Sequence, residues 1–510
     1  MAGRAVGRPA AACRHRPRHD RPARSHHRRR ADLGPRPRRR PSGRRPAQGS
    51  RHARQVCRRA LDPRRAHFRR GFAPPPYRGR ALLRRADPLS LTGGTAVLLS
   101  AIDFIVFLCL VVQFVVAGYF LYLIYWSFES PAADTGDTSL PEELPRVLIQ
   151  IPVYNEPLVV ERVLAAAASL DWPRDRLTIQ LLDDSTDLTS DIAVHAVARL
   201  RRGGVDVVHV RRHDRTGFKA GALAEGMALC DAPYVAVFDA DFVAPPGWLR
   251  GAMAALLAEP RAAFVQTRIE WGNGEKNWLT RAQRLMQDAH FAVEQDVRAR
   301  RGVPFQFNGT GGIWRRAAVE EAGGWSHDTL SEDLDLVLRT YLAGRHGVFL
   351  MEPHVVGELP AKLDDFSAQQ SRWSKGFVQV ARKLLGPIWR SGWSDEAKAA
   401  TTVALGQQLV FPVLAVGIVA LILSVLGHGY LIGLFRFLLW LWLIAMLAVL
   451  FGTTWSAYRR LARGDLLRYL ATAASVPALI VYLAAANAGA IVSAGLGRKT
   501  EFKRTPKVGA

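Results

Sequence analysis

Long apolar runs bracket a mixed central stretch in this 510-residue chain, and they constrain its fold more than any other feature. From Ala96 to Trp126 the only charge is Asp103. That run exceeds the roughly 20 residues needed to cross a bilayer. Tyr119, Tyr122, Tyr125 and Trp126 gather near its end, as in an interfacial aromatic belt. Three further apolar runs lie at about 403–427, 431–455 and 469–493. Pro412 and Pro477 interrupt two of them, which membrane helices tolerate. The expected layout is a transmembrane helix over 96–127 and a C-terminal region of about three hydrophobic segments over 403–495. Residues 377–393 mix Phe377, Leu384, Trp389 and Trp393 with Arg382, Lys383 and Arg390. This pattern predicts an amphipathic helix, over 376–394, lying on the bilayer.

Loop charge predicts orientation. The loop Tyr458–Arg468 holds four arginines and Gly427–Phe435 holds none. The first is expected inside and the second outside, which puts the central domain in the cytoplasm of a multi-pass protein of the inner or plasma membrane. The basic tail, 496–510, also favours the inside, which three late crossings would not allow. One late segment is therefore expected to be re-entrant or interfacial.

Charge is distributed very unevenly. Residues 1–90 contain 28 arginines, no lysine and four aspartates, and account for +24 of the net +25. With almost no periodic apolar residues, the segment 1–95 has no core to bury and is expected to be disordered. It is expected to be upstream sequence read as protein, with a natural start near Val97 or Leu98. Its alternative is an arginine arm for nucleic acid or anionic lipid, which would make the chain a membrane-tethered nucleic-acid binder. The nearly neutral remainder argues against nucleic acid as a partner. Cys13, Cys57, Cys109 and Cys230 form no CxxC and no zinc-like cluster, so neither a disulfide scaffold nor structural zinc is expected.

Residues 145–375 alternate strand and helix. Apolar strands are expected at Arg146–Val153, Leu177–Leu182, Val205–Val210 and Tyr234–Phe238, with helices at 158–170, 188–202 and 219–230. Short apolar strands with crossover helices imply a mostly parallel sheet. Ligands bind such sheets at the carboxyl ends of the strands.

Acidic pairs stand at those ends. Asp239 and Asp241 close one strand, where two carboxylates can hold a hard cation and through it a diphosphate; a solvated turn is the alternative. Asp183 and Asp184 close another and can accept from a nucleobase or ribose, or cap the next helix. Lys219 opens a helix after Gly217, which suits a phosphate or an ordinary junction. Asp333, in Ser331-Glu332-Asp333, has a neighbouring charge able to raise its pKa, and so can serve as a base; a helix-start acidic turn is the alternative. Arg372 and Trp373 follow Gln369 and Gln370; arginine pairs with diphosphate and tryptophan stacks on sugars, or both sit at a membrane surface.

The order of these elements is more specific than any one of them. IQIPVYNE (149–156), LDDSTD (182–187), GFKAGAL (217–223), FDADF (238–242), FNGTGGIWR (307–315), SEDLDL (331–336) and QQSRW (369–373) together resemble the processive family-2 glycosyltransferases. The likeness is to the cellulose synthase-like group of plant mannan and glucan synthases and bacterial relatives, and EFKRTP (501–506) resembles the bacterial members. The resemblance implies an α/β GT-A glycosyltransferase domain, with a mostly parallel sheet, inserted between transmembrane helices. It implies a nucleotide-sugar donor (UDP-glucose or GDP-mannose), Mg²⁺ or Mn²⁺, and inversion at the anomeric carbon. Tyr154, Glu156, Asp183, Asp184 and Lys219 would bind the nucleotide, and Asp239 and Asp241 the metal. Asp333 would be the catalytic base, while Gln369, Arg372 and Trp373 would meet diphosphate and acceptor. FNGTGG departs from the form found in cellulose synthases, which argues against a strictly cellulose product. The expected activity is hexose transfer to a growing β-glycan of glucan or mannan type. A glycolipid synthase acting on a diacylglycerol acceptor is the alternative.

Overall fold

The computed structural model describes residues 93–129, 139–426, 432–461 and 464–496. The arginine-rich arm, the uncharged loop at 427–431, Arg463 and the basic tail with EFKRTP lie outside these residues.

The chain enters through a 37-residue helix, α1 (Gly93–Glu129). The α/β alternation follows: β1 (Val147–Val153), α2 (Val160–Ala168), β2 (Leu177–Asp183), α3 (Thr189–Arg202), β3 (Val207–Arg211), α4 (Phe218–Ala228) and β4 (Tyr234–Val237). These elements match the sequence pattern to within about two residues, because β1, β2 and β4 are short apolar runs buried on both faces. The pattern did not resolve what comes next: α5 (Trp248–Ala258), β5 (Ala262–Trp271), α6 (Trp278–Ala289), α7 (Asp296–Arg300), β6 (Gly312–Arg315), α8 (Arg316–Glu321), α9 (Glu332–Leu342) and β7 (His346–Gly357).

The seven strands form one sheet in the order β3-β2-β1-β4-β6-β5-β7. Only β6 runs antiparallel, to both β4 and β5. Val147 pairs with Leu177 on one side and Tyr234 on the other. The chain therefore moves outward from β1 in one direction and returns to its other side at β4. That reversal opens a crevice beyond the carboxyl ends of β1, β2 and β4, where ligands of open parallel sheets bind. Inside the sheet, the buried Gln150 Nε2 donates to Gln180 Oε1 (3.2 Å) and Leu223 O (3.1 Å), which satisfies its two amide hydrogens.

Beyond β7 the chain is helical: α10 (Leu363–Arg390), α11 (Asp395–Gly406), a short 3₁₀ turn (Gln407–Leu409), α12 (Val410–Leu426), α13 (Ile432–Arg460) and α14 (Leu466–Gly495). Four helices among the described residues are long and apolar enough to cross a membrane: Val97–Glu129, Asp395–Leu426, Arg436–Arg460 and Leu466–Gly495. Polar clips join α1 to the late helices, where no water competes for them. Asp103 accepts from Ser424 Oγ at 2.5 Å, and Gln113 Oε1 accepts from Trp442 Nε1 at 2.8 Å.

The amphipathic helix corrects the sequence reading. It begins at Leu363, so QQSRW lies inside it rather than before it. Much of its apolar face is packed on protein. Val380, Leu384 and Ile388 share a core with Leu334 and Leu338 of α9 and Leu405 of α11. On the other side Phe366 packs with α6 and with Tyr469, Ala473 and Val476 of α14. The closest approach is at Gly376, where a Cβ would sit 2.0 Å from Ser331 Oγ. Gly376→Ala is therefore expected to push α10 off α9, destabilising the detergent-solubilised protein by about 1–3 kcal/mol. Gly406→Ala, with open space around it, should be neutral or slightly stabilising in the same thermal melt.

Candidate active site

Two loops at the carboxyl ends of β1 and β2 build one end of the crevice. Asn155 adopts a left-handed conformation (φ 56°), which asparagine tolerates better than most residues. Its backbone N–H donates to Ser185 Oγ (2.9 Å) and its Oδ1 accepts from the Thr186 N–H (2.8 Å). This lock holds Tyr154, Glu156 and Asp184 on a single wall of a cavity of about 810 Å³. Arg212 grips Asp184 with two hydrogen bonds of 2.7 and 2.6 Å, and Arg215 stacks 3.4 Å above the Tyr154 ring.

Asp183 corrects an expectation. It is fully buried and stands outside the cavity lining. Its carboxylate is engaged by Ser190 Oγ (2.7 Å), His209 Nε2 (2.9 Å), Arg211 (2.9 Å) and the Ser185 N–H (2.8 Å). Burial opposes the charge, but the hydrogen bonds from His209, Ser190 and Ser185 hold the carboxyl well below the usual range. Asp183 shapes the loop, and of the acidic pair only Asp184 faces the cavity.

The centre of the cavity is a charge cluster. Lys219, in the first turn of α4, donates to Asp239 Oδ1 (2.7 Å) and Gly309 O (2.8 Å), with Glu332 Oε1 at 3.9 Å. Burial works against its ammonium, yet the carboxylates of Asp239, Glu332 and Asp333 raise its pKa above the ordinary lysine value. The expected phosphate ligand is thus, here, the counter-ion of the strand-end acid. Asp333 stands beside it, one residue into α9. Burial, and then the Glu332 charge, push its carboxyl up to about 7, with Lys219 pulling the other way. The backbone of Gly309 must pass close by: a Cβ there would lie 2.9 Å from Asp333 Oδ2 and 3.1 Å from Lys219 Nζ, and its φ is +75°. That explains the glycine in the FNGTGG segment.

Asp239 and Asp241 both line the cavity. The Asp239 side chain is 35% exposed and its N–H donates to Thr310 Oγ1 (3.0 Å), whereas Asp241 is buried. Among the described residues no group of three or more His, Cys, Asp or Glu gathers as a closed metal cage. Two carboxylate donors are nevertheless what a hard cation needs when substrate phosphates complete its shell. Gln369, Arg372 and Trp373 from α10 line the opposite wall. Desolvation lowers the Arg372 pKa, while Glu332, Asp239 and Asp333 raise it in opposition. The sequence reading missed Arg215, Trp271, Gln283, Gln287, His290 and Asn308, all of which line the same cavity. The helical spacing of Gln283, Gln287 and His290 was the signal available for three of them.

The mostly parallel sheet of this order, with acidic strand ends, has a GT-A-like fold. Residues 234–482 match the family described as glycosyl transferase family group 2. The chain is 44% identical over 256 residues to a probable glucomannan 4-beta-mannosyltransferase of Arabidopsis thaliana, covering 49% of this chain and 46% of that one. It is 42% identical over 248 residues to a probable glucomannan 4-beta-mannosyltransferase of Oryza sativa subsp. japonica, covering 48% and 43%. The chain thus spans about half the length of the curated relatives it matches. A mannosyltransferase from Pyrobaculum calidifontis, solved in complex with GDP-Man and Mn²⁺, shares the fold at TM-score 0.50 and 20% identity, covering 78% of this chain and 99% of that one. The sequence likeness is therefore to family-2 glycosyltransferases and, among curated relatives, to glucomannan mannosyltransferases.

The second aspartate of the SEDLD run has a different task from the first. Asp335 is fully buried between Arg339 Nε (2.7 Å) and Lys383 Nζ (2.7 Å), tying α9 to α10. Asp335→Asn removes a buried carboxylate from Arg339 and Lys383, which keep the Gly324 carbonyl and Asp328 respectively, and is expected to cost about 1–3 kcal/mol in a denaturation experiment. An unchanged melting curve would remove this tie from the account.

Proposed function

We propose that the protein is a membrane-embedded inverting hexosyltransferase that moves a sugar from a nucleotide donor to a growing β-glycan. The relatives named glucomannan mannosyltransferases favour GDP-mannose over UDP-glucose as donor. The observation that carries the reading is the convergence of Asp333, Lys219, Asp239 and Arg372 on one cavity, between a wall carrying Tyr154 and Asp184 and a wall carrying Trp373.

In this reading Tyr154, Glu156 and Asp184 hold the nucleoside, and Asp239 and Asp241 hold a divalent cation. When bound, that cation supplies Lewis-acid stabilisation to the diphosphate. Arg372 presents positive charge where the leaving diphosphate gains negative charge, while Lys219 holds Asp239 in place. Asp333 takes the proton of an acceptor hydroxyl as that oxygen bonds to the anomeric carbon. The bond to the diphosphate oxygen breaks and its electron pair leaves with the nucleotide. A single displacement of this kind inverts the anomeric centre. Burial gives Asp333 the basicity the step requires, because a carboxylate of ordinary pKa is a weak base at neutral pH.

Membranes containing the full chain, supplied with radiolabelled GDP-mannose or UDP-glucose, should form an insoluble polymer released by a β-mannanase or β-glucanase. EDTA should abolish the product and Mg²⁺ or Mn²⁺ restore it. Asp333→Asn should lower turnover by about 10²–10⁴-fold while nucleotide affinity stays near native. Label confined to chloroform-soluble lipid would instead establish the glycolipid reading.

The proposed orientation places the α/β domain in the cytoplasm at the inner or plasma membrane, supported by Arg459 and Arg460 at the end of α13 and Arg468 at the start of α14. Leu426→Cys should then react with an impermeant maleimide on intact cells and Gly464→Cys should not. The reverse labelling would invert the topology.

A further inference from the structure

Between α6 and α7 the helix does not simply continue. Residues His290–Gln295 form a π-helical turn, a rare and costly insertion found disproportionately at functional sites. Here it turns polar side chains in two directions. Gln295 holds the FNGTGG approach: its Nε2 donates to Gln306 O (2.8 Å) and Asn308 Oδ1 (3.2 Å), and its Oε1 accepts from the Gln306 N–H (3.0 Å). His290 lines the cavity, with Nδ1 2.8 Å from Glu294 Oε2. Glu294 is buried, and Arg298 contacts its other oxygen at 3.3 Å. The ring is therefore fixed through one nitrogen, and Nε2 is the nitrogen it can offer to a bound molecule.

The wall around it has a consistent chemistry. Gln283, Gln287 and His290 recur at four- and three-residue spacing, so they share one helical face. Gln283 is almost fully buried; its Nε2 donates to Pro360 O (2.8 Å), and its Oε1 has no hydrogen-bond partner among the described residues. Trp271, also lining the cavity, buries its indole N–H without a partner in the same sense. Buried polar atoms left in this way call for a ligand or water. The opposite side of this chamber is Gln370 and Trp373 of α10. Both α6 and α10 pack on α14, so the chamber lies at the cavity end toward the apolar helices, away from Tyr154 and Asp184. Amides, an imidazole and indole faces, with the Glu358 carboxylate held by Arg162 beside them, suit neutral hydroxylated rings, whose hydroxyls can donate to a carboxylate.

We propose that this chamber is the acceptor-sugar site and that His290, oriented by Glu294, hydrogen-bonds an acceptor hydroxyl and aligns the sugar for Asp333. The inference rests on the hexosyltransferase reading. It adds a specificity residue that the catalytic cluster does not include, with Glu294 as its positioning residue.

Initial rates of the full chain in detergent, with saturating GDP-mannose or UDP-glucose and mannohexaose or cellohexaose as soluble acceptor, test it. His290→Ala should raise the acceptor KM about tenfold with donor KM and nucleoside diphosphate affinity near native, and His290→Gln should restore much of the loss. Glu294→Gln should raise the acceptor KM less than His290→Ala does. A native acceptor KM in His290→Ala overturns the proposal, as does a parallel loss of donor and acceptor affinity. Should His290→Ala bind no nucleotide, Gln287→Ala carries the same test, and a native acceptor KM there overturns it. A wild-type protein inactive with both donors fails the functional reading itself, and the acceptor site with it.

Discussion

The ammonium of Lys219 is the interaction on which the rest of the site depends. It binds Asp239 at the end of β4 and the Gly309 carbonyl ahead of β6, and it faces Glu332 at the start of α9. Three acidic side chains, Asp239, Glu332 and Asp333, converge around it, and without a cation among them their mutual repulsion would oppose closure of the fold. The balance is deliberately incomplete. Lys219 offsets part of the charge, but burial and Glu332 still leave Asp333 with its pKa near neutrality. One lysine thus makes the cluster tolerable to the fold while leaving one carboxyl basic enough to take a proton.

The second constraint is that the cavity is closed by helices that belong to the apolar assembly. Its far wall is α10, seated on α9 through Gly376 and Asp335, and on α14 through a shared apolar cluster. Ser371, within QQSRW, donates to Asn487 Oδ1 of α14 at 2.6 Å. The residues expected to meet diphosphate and acceptor are therefore positioned from the membrane side, whereas the nucleoside wall is positioned by the sheet. A shift of α14 would move Arg372 and Trp373 relative to Asp333, so the bundle and the chemistry are mechanically coupled.

Much of this was legible in the sequence because it is local. β1, β2 and β4 are short apolar runs ending in acids, and those runs place Tyr154, Asp184 and Asp239 at one sheet edge whatever the rest of the chain does. What was not legible depends on partners far away. Asp183 reads as a twin of Asp184, but His209 and Arg211 of β3 turn it inward. Lys219 reads as a phosphate ligand, but its partners lie 20 and 90 residues along the chain. β5 carries Arg268 and Glu270, which break the apolar run; a bridge from Arg268 to Glu270 and Glu352 accommodates them. The QQSRW helix was read as starting at 376 rather than at Leu363, because polar Gln369 and Gln370 face the cavity rather than solvent.

The most direct test of the central claim is the pH dependence of kcat/KM for the acceptor, which reports the ionisation of the free enzyme. A protonated Asp333 has no capacity to accept the acceptor proton, so the rate should fall as pH drops through about 7, where burial and Glu332 hold its carboxyl. Glu332→Gln removes the neighbouring negative charge and should move that limb to lower pH. A rate that stays level from about pH 5 to 8, or a limb that Glu332→Gln leaves in place, would contradict the account.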